Sequence, residues 1–341
     1  MKETSLVLVT GGAGYIGSHI TLSLLEAGHG VVVFDNLSNS SAESISRIEK
    51  ICGKKPHFVM GDIRDKQALS NLFNRYHIDS VIHCAGLKAV GESVKDPLTY
   101  FSNNLVGSVT LLEAMARANI FRLVFSSSAT VYGDSPNMPV NEKHPTAAPT
   151  NPYGRSKLMV EDVLRDLATS DQRWSIATAR YFNPIGAHSS GLIGEAPNGI
   201  PNNLVPYISQ VAIGKLKKLQ IFGGDYPTPD GTGVRDYIHV MDLAQGHLKA
   251  LHAISLKNGL NIWNFGSGKG YSVLELLDAF ENASGKKIPY DIVARRAGDI
   301  PKCWANTDKA RQELGWRAEK NLNDMMIDTW RWQKNNPTGY N

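Results

Sequence analysis

The segment "NPYGRSK" places Tyr153 and Lys157 four positions apart. On a helix, this spacing puts both side chains on one face, one turn apart. A free tyrosine has a pKa of about 10, and it becomes a general base near neutral pH only if that pKa falls by roughly 3 units, about 4 kcal/mol. A lysine charge about 4 Å away supplies that energy at an effective dielectric of about 20. The pair therefore predicts acid–base chemistry, although the same spacing also occurs by coincidence on ordinary helices.

A run of hydroxyl side chains precedes this pair. "FSSSATVYG" carries Ser126, Ser127, Ser128 and Thr130 at the end of an apolar segment that is typical of a buried strand. Serines at strand ends often act only as turn or cap residues. In a parallel sheet, however, the end of this strand would lie at the edge where open α/β sheets bind ligands. Tyr153 would then begin the next helix beside these hydroxyl groups.

A glycine-rich segment, "VTGGAGYIG", connects the first predicted strand to the first predicted helix. It reads as Gly11-x-x-Gly14-x-x-Gly17 or as Gly12-x-Gly14-x-x-Gly17, and either pattern lets a pyrophosphate approach the backbone at the helix N-terminus. Asp35 ends the second strand, where a carboxylate can bind the adenosine ribose and repel a 2′-phosphate, which favours NAD over NADP. A glycine trio can also mark only a tight turn, but the strand–turn–helix context favours dinucleotide binding.

Two further strand ends extend this predicted site. Asp62 closes the third strand and could reach the adenine, or it could instead cap the helix that follows. "CAGLKAVGES" follows the fourth strand and places Ala85, Gly86 and Lys88 at the sheet edge where the cofactor would bind.

Alternating strands and helices would position these residues. We predict strands over 5–10, 31–35, 57–62, 79–85, 122–128 and 174–182, and helices over 15–27, up to about 50, and over about 65–76, 97–118 and 153–169. Buried strands joined by helices imply a doubly wound parallel sheet of the Rossmann type. The fold class is therefore α/β, with a smaller mixed α/β C-terminal part.

The chain is expected to form two domains. Residues 1–183 form the predicted NAD-binding domain, and residues 184–341 form the predicted substrate domain. The segments "YIHV" (237–240) and "NIWNFG" (261–266) are expected to return to the main sheet, so that the chain rejoins the first domain at about 236–266.

Composition narrows the classes of protein. A hydrophobic fraction of 42% with 20% charged residues is typical of a globular chain. The net charge is +4, and its densest basic cluster, "KLKK" (215–218), indicates a helix end more than a nucleic-acid site. The three cysteines and ten histidines show no metal-binding spacing, so we expect no metal. No apolar stretch is long enough for a membrane helix and no secretory leader is evident, so we expect a cytoplasmic protein without membrane or nucleic-acid partners.

These motifs carry a resemblance to a known family. The tyrosine–lysine pair with an upstream serine is similar to the extended short-chain dehydrogenase/reductase family. Over the chain from residue 10 onward, the sequence resembles the UDP-glucose 4-epimerase family in eight segments that occur in the family's order. These are "TGGAGYIGSH", "AGLKAVGES", "SSSATVYG", "PYGRSKLMVE", "RYFNPIGAH", "GIPNNL", "DYPTPDGTGVRDYIHVMDLA" and "RRAGDIP".

The resemblance implies an NAD-dependent isomerase that inverts C4 of a UDP-hexose through a transient 4-keto sugar, with Tyr153, Lys157 and Ser128 as catalytic residues. It implies cofactor contacts from Gly11, Gly14, Tyr15, Ile16, Gly17, Asp35, Asn36, Asp62, Ile63, Ala85, Gly86, Lys88, Asn103, Tyr153, Lys157 and Phe182. It implies substrate contacts from Lys88, Ser128, Tyr153, Tyr181, Asn183, Asn203, Leu204, Arg235, Tyr237, Arg296, Asp299 and Cys303. Without the resemblance, Arg235 and Arg296 could equally be surface ion-pair residues. Relatives also pair helices that match 97–118 and 153–169, which implies a homodimer.

Two other classes of protein remain alternatives. A nucleotide-sugar dehydratase has the same fold, but its relatives carry an Asp-Glu pair after the strand-end hydroxyl, where this sequence has Ala129 and Thr130. A non-catalytic NAD-sensing module typically lacks the tyrosine–lysine pair.

Within the resemblance, Cys303 stands at a position that contacts the sugar's C2 substituent. Relatives with a small residue there also accept N-acetylhexosamines, since they leave room for the acetamido group. Cys303 could instead be only a small buried hydrophobic residue.

Overall fold

Strands and helices alternate through the first half of the computed structural model, which describes residues 6–135, 137–146, 149–296 and 298–341. The strands there are β1 Leu6–Thr10, β2 Gly30–Asp35, β3 His57–Met60, β4 Ile78–His83, β5 Arg122–Ser128 and β6 Ser175–Tyr181. The helices are α1 Tyr15–Glu26, α2 Glu43–Cys52, α3 Lys66–Arg75, α4 Val90–Lys95, α5 Pro97–Tyr100, α6 Gly107–Arg117 and α7 Pro152–Ser170, with a π-helical turn over Phe101–Val106 and a 3₁₀ turn over Ala129–Tyr132.

The second half contains shorter strands between helices. Its elements are β7 Asn183–Ile185, α8 Leu204–Ala212, β8 Leu219–Phe222, β9 Val234–His239, α9 Val240–Ile254, β10 Gly259–Phe265, β11 Gly270–Ser272, α10 Val273–Ser284, β12 Tyr290–Val293, β13 Lys302–Cys303, α11 Asp308–Leu314 and α12 Leu322–Asn335. Helices α10 and α12 both begin with a capping box, formed by Ser272 with Glu275 and by Asn321 with Asp324.

The six strands of the first half of the chain form a seven-stranded parallel sheet together with β10. Its strand order is β10-β6-β5-β4-β1-β2-β3, and every pair in it is parallel. The order reverses between β1 and β4, so the loops after these two strands diverge and leave a crevice at their carboxyl ends. Helices cover both faces, since alternate residues of β1 belong to two different core clusters, Val7 and Val9 to one and Leu8 to the other. The predicted doubly wound α/β fold is confirmed.

The two segments that were predicted to return to this sheet behave differently. The predicted return of "NIWNFG" to the main sheet is confirmed, because most of this segment lies in β10, which pairs with β6 along its whole length. The prediction for "YIHV" is wrong, because most of this segment lies in β9, which pairs with β7, β11 and β13 in a separate four-stranded sheet. A short apolar strand indicates that it is buried but not which strands lie beside it. The chain rejoins the main sheet only after β9, through α9, which packs against α1.

The long helix predicted over 97–118 is interrupted in the structure. Asp96 caps α5, the chain widens into the π-helical turn, and α6 completes the segment. Within the turn, the buried Asn104 accepts a hydrogen bond from Leu87 N at 2.8 Å and donates to Leu87 O at 3.0 Å. The widened turn therefore presents Asn104 to the loop after β4, which an unbroken apolar helix pattern does not indicate.

Helix α7 follows the predicted 153–169 segment closely. Asn151 caps its N-terminus by accepting a hydrogen bond from Gly154 N at 2.9 Å. Pro152 occupies the first helical position, where a missing N–H has no cost. This start fixes the register that places Tyr153 and Lys157 on the face that packs toward the sheet, where both are buried.

Candidate functional site

The glycine loop between β1 and α1 is shaped by close backbone contacts. Gly11 has a φ of +68°, and a Cβ on it would lie 2.7 Å from Ala85 N, so only glycine fits there. A Cβ on Gly17 would lie 2.1 Å from Gly11 O. Gly14 precedes α1, whose first turn has no acidic residue and no side-chain cap. The N–H groups at this helix end therefore remain available to an anion, which is the arrangement that binds a pyrophosphate.

Asp35 lies at the end of β2 next to this loop. Its carboxylate accepts hydrogen bonds from Ala13 N at 3.0 Å, Leu37 N at 2.9 Å and the Ser40 hydroxyl at 2.8 Å. These three donors hold the side chain at the mouth of the cleft. The position fits the adenosine ribose role that the sequence predicts.

One cleft at the carboxyl ends of β1, β2 and β4 brings most of the predicted residues together. It encloses about 1170 Å³, its open mouth included. Every predicted cofactor residue except Asp62 and Phe182 lines it, and so does Tyr181 from the predicted substrate set. The glycine loop can hold a pyrophosphate, and the Asp35 carboxylate at the rim of the cleft can bind a ribose. Together these groups fit an NAD molecule in this cleft.

The two exceptions are next in the chain to residues that line the cleft, Asp62 to Gly61 and Ile63, and Phe182 to Tyr181. Asp62 binds Arg64 through two hydrogen bonds of 2.9 and 2.7 Å and accepts another from Asn36, which does line the cleft. These hydrogen bonds, above all those from Arg64, hold the pKa of Asp62 below its usual range. The alternative that Asp62 caps the next helix is wrong, because Asp65 is the cap of α3. Phe182 is buried in an apolar cluster beside the cleft.

Tyr153 and Lys157 reach this cleft from α7. Lys157 is buried, and its Nζ donates to Ser126 O at 2.8 Å and lies 4.9 Å from the centroid of the Phe125 ring. Burial lowers the pKa of Lys157 to about 8. Burial also raises the pKa of the Tyr153 phenol, and a hydrogen bond with Ser128 opposes that rise. The lowered tyrosine pKa that the spacing predicts is thus not produced by the fold alone, because burial of the phenol raises its pKa and the Lys157 ammonium donates to a carbonyl of β5.

The hydroxyl of Ser128 is oriented by its neighbour. Ser128 Oγ accepts from Thr130 N at 3.2 Å and from Thr130 Oγ1 at 3.0 Å. An oxygen that accepts twice still has its own proton to donate. Ser128 is therefore arranged as a donor beside Tyr153.

A buried polar network fixes α7 on the sheet behind the catalytic pair. Glu161 and Arg180 form an ion pair of 2.5 Å, with 1% and 2% of their side chains exposed. Ser127 donates to Glu161 at 2.5 Å, and Arg180 donates to the Tyr132 hydroxyl at 3.2 Å. Because a buried charge is tolerated only with a close partner, this pair ties the register of α7 to β6.

The remaining predicted substrate residues lie around β7, β9 and β13. In the parallel register Asn183 faces Tyr237, and Cys303 faces Arg235. Arg235 and Tyr237 are two residues apart on β9, so they share one face. Burial raises the pKa of Tyr237 to about 12 and that of Cys303 to about 11, and in both the charge of Arg235 opposes the rise. The strand pairing thus brings these side chains together as one group.

Four other predicted residues lie in loops or at a helix start. Arg296 forms a two-bond ion pair with Asp299, at 3.2 and 2.9 Å. Asn203 and Leu204 stand at the N-terminus of α8. None of these residues is among those that line the cleft around the glycine loop.

Sequence reasoning missed several residues of the site. Asn104 donates to the Ser156 hydroxyl at 3.1 Å and so connects the π-helical turn to α7 next to Lys157. A polar residue within an apolar helix pattern was the available signal. Glu195 and Tyr340 line the cleft from loops that carry no motif. Their proximity follows from tertiary contacts over more than a hundred residues, which the sequence does not show.

Among the residues that the structure describes, no group of three or more histidine, cysteine, aspartate or glutamate residues is arranged to hold a metal ion. No helix within the described ranges is long and apolar enough to cross a membrane.

Comparison with known proteins gives consistent matches along the whole chain. The model of the family described as GDP-mannose 4,6 dehydratase matches residues 8–329. A UDP-glucose 4-epimerase of Yersinia enterocolitica is 60% identical over 335 residues, which cover 98% of this chain and 99% of the relative. A UDP-glucose 4-epimerase of Bacillus subtilis is 57% identical over 334 residues, with 98% of each chain covered.

The similarity extends to solved structures. The crystal structure of UDP-glucose 4-epimerase from Bifidobacterium longum in complex with NAD+ and UDP superimposes with a TM-score of 0.96 at 51% identity, covering 98% of this chain and 100% of that one.

Proposed function

Because the chain belongs to the UDP-glucose 4-epimerases, within the broader family of the GDP-mannose 4,6 dehydratase model, we propose that Tyr153, Lys157 and Ser128 catalyse inversion at C4 of a UDP-hexose. The enzyme is an NAD-dependent isomerase. The residue assignment rests on one observation, which is that Tyr153, Lys157, the glycine loop and Asp35 line the same cleft. A dehydratase is not favoured, since Ala129 and Thr130 stand where its acidic pair would be.

Side chains of the protein remove and return the proton of the hydroxyl group at C4. Bound NAD supplies the hydride acceptor and donor for that carbon. Tyr153 removes the proton of the 4-hydroxyl, and Ser128 donates a hydrogen bond to the same oxygen. The 4-keto sugar then turns over within the site, and Tyr153 returns the proton to an oxygen of opposite configuration.

Lys157 provides the positive charge in this scheme. One of its three N–H donors is occupied by Ser126 O, which leaves two for ligands or for Tyr153. Burial raises the pKa of Tyr153, so its ionisation depends on positive charge that arrives with the cofactor as well as on Lys157.

A direct assay tests this function. Purified protein is incubated with UDP-galactose, without added cofactor, and UDP-glucose is measured. We expect interconversion, because the reaction has no net redox change and the cofactor need not exchange. Absence of any interconversion with NAD present, or a strict requirement for NADPH, would contradict the assignment and the role of Asp35.

The second half of the chain is proposed to hold the UDP-sugar. Arg235 and Arg296 would contact the diphosphate through their guanidinium groups, with Asp299 orienting Arg296. Lys88, Tyr181, Asn183, Asn203, Leu204 and Tyr237 complete the proposed contacts. Arg235→Met is expected to raise the KM for UDP-galactose at least 10-fold and to leave bound NAD unchanged. An unchanged KM would remove Arg235 from the site.

The same reasoning supports a division into domains. We propose that residues 1–183, with the return of the chain after β9, bind NAD, and that residues 184–341 bind the UDP-sugar. Hydrogen exchange on the holoenzyme tests this division, since UDP should protect peptides of the second segment. Protection by UDP confined to the first segment would contradict it.

Cys303 is proposed to widen the range of substrates. It is 6% exposed and packs with Val131, Phe182 and Ala305. A cysteine leaves space that a tyrosine would fill, and a packed pocket needs that space for an acetamido group. We expect UDP-GalNAc to be converted to UDP-GlcNAc, and Cys303→Tyr to abolish this activity while UDP-galactose is still used. A wild-type enzyme inactive on UDP-GalNAc would refute the proposal.

A homodimer is proposed through helices α5 to α7. Leu98 is 79% exposed and Val106 53% exposed, and Met159 on α7 is also exposed. Large apolar side chains on adjacent helices favour a protein interface. Leu98→Asp is expected to convert the dimer to a monomer in light scattering, whereas Ile292→Asp, an exposed apolar position on β12, should not. A wild-type monomer at micromolar concentration would contradict the proposal.

A further inference from the structure

The loop of residues 189–197 forms one wall of the cofactor cleft. Gly194, Glu195, Ala196 and Pro197 line the cleft together with Lys88 from the opposite wall. Lys88 Nζ donates to Glu195 Oε1 at 2.6 Å across it. The loop contains turns and bends but no helix or strand, and its backbone forms only two hydrogen bonds of its own, from Gly191 N to His188 O and from His188 N to Ile193 O. Lys88 is 39% exposed, and a partly exposed ion pair by itself contributes little.

The chain after residue 330 holds the 189–197 loop through hydrogen bonds. Four side chains there donate to carbonyl groups of the 189–197 loop. They are Arg331 to Ser189 O at 2.9 Å, Asn336 to Gly191 O at 2.9 Å, Trp332 to Glu195 O at 3.0 Å and Tyr340 to Gly194 O at 3.2 Å. Gly194 N also donates to the Tyr340 hydroxyl at 3.2 Å. We call Arg331, Trp332, Asn336 and Tyr340 the C-terminal clasp.

Arg47 of α2 fixes the clasp to the dinucleotide-binding half. Its Nη1 donates to Asn336 Oδ1 at 2.6 Å and to Leu192 O at 3.1 Å. Its guanidinium carbon lies 5.0 Å from the centroid of the Tyr340 ring and 5.8 Å from that of Trp332. Such distances allow cation–π attraction. Tyr340 itself lines the cleft, so this one side chain contacts Arg47, the loop and the cofactor space.

We infer that the C-terminal clasp holds the 189–197 loop against the bound NAD, and that Tyr340 is a positioning residue for cofactor retention. Loss of the Tyr340 hydroxyl removes both hydrogen bonds to Gly194, and the loop gains conformational freedom that it must give up whenever the cleft closes. Retention of the cofactor is what the reaction needs, because each cycle returns NAD to its starting oxidation state.

The test compares Tyr340→Phe with a matched control in the same segment. Thr338→Ala removes a hydroxyl that donates only to Asn341 O. Wild type and both variants are purified as holoenzyme and passed through gel filtration without free cofactor. Bound NAD per chain and its release rate are then measured, without any sugar, so the result does not depend on epimerase activity.

We expect Tyr340→Phe to release NAD about 5- to 30-fold faster than wild type, since each net hydrogen bond is worth about 5-fold in an equilibrium constant. Excess NAD should restore its turnover, and Thr338→Ala should behave as wild type. Equal release rates for Tyr340→Phe and wild type would overturn the inference, as would an equal acceleration in Thr338→Ala.

A second variant covers the case in which Tyr340→Phe does not fold. Arg47→Lys keeps the charge but loses the planar contact with the Tyr340 ring and the Nη1 group that donates to both Asn336 and Leu192. It should also accelerate NAD release by at least 5-fold. Retention as in wild type would show that the loop is held without the clasp.

Discussion

Lys157 is a buried charge whose removal should stabilise the fold while it abolishes catalysis. Burial lowers its pKa from the ordinary value of 10.5 to about 8. A shift of about 2.5 units at 1.36 kcal/mol per unit corresponds to a cost of about 3 kcal/mol for keeping the ammonium protonated in the folded state. Lys157→Met removes that cost and also removes the hydrogen bond to Ser126 O, worth about 1 kcal/mol. The variant should therefore be about 2 kcal/mol more stable than wild type at pH 7.

The pH dependence separates this charge effect from better packing. Below pH 8, Lys157 binds a proton in both the folded and the unfolded chain, so the full cost is present. Between pH 8 and 10.5, the unfolded chain holds a proton that the folded state has released, so the stability of the wild type rises with pH. The advantage of Lys157→Met should therefore shrink to zero within this window and become a disadvantage of about 1 kcal/mol above it, where only the lost hydrogen bond remains.

Urea denaturation of NAD-free protein at pH 7, 8.5 and 10 measures the difference, since bound cofactor would add its own stabilisation. Lys157→Leu serves as a control for side-chain shape. A variant less stable than wild type at pH 7 would refute the reasoning, and so would an advantage that does not change with pH.

Three further predictions concern the site and its support. Tyr153→Phe should lower kcat by about 10²–10⁴-fold with NAD still bound, and near-normal turnover of UDP-galactose would identify another base. Glu161→Gln should lower the free energy of unfolding by about 3–5 kcal/mol, because it leaves Arg180 buried and unpaired, and a loss below about 1 kcal/mol in urea denaturation would show that the pair is dispensable. Gly11→Ala should destabilise the protein more than Gly53→Ala, since both have a φ of +68° but only at Gly11 would a Cβ lie 2.7 Å from a neighbouring backbone nitrogen, and equal urea midpoints would contradict this.

Local patterns in the sequence predict the elements of the main sheet well. Strands β1 to β6 are short apolar runs, and the helices between them carry turn and cap residues such as Asn151 and Gly28. The glycine loop and Asp35 are adjacent in the chain to the elements that position them. Their placement could therefore be predicted without knowledge of distant contacts.

Features that depend on distant contacts could not be predicted in this way. The partners of β9 are β7, β11 and β13, and nothing in its apolar pattern distinguishes them from the strands of the main sheet. The π-helical turn contains Asn104, which binds the Leu87 backbone 17 residues earlier in the chain. The pKa of Tyr153 depends on how deeply α7 is buried and on where the Lys157 ammonium is directed, and spacing along a helix determines neither.

The pairing of β10 with β6 has a consequence for folding during synthesis. About 80 residues separate the two strands along the chain, and at about 5–20 residues per second a ribosome needs roughly 4–16 s to make them. During that interval, the N–H and C=O groups along one edge of β6 have no strand to pair with, and such an edge is a template for pairing with other chains. The nascent protein is therefore most exposed to aggregation after β6 emerges and before β10 does. Slower translation of this stretch should increase the demand for chaperones.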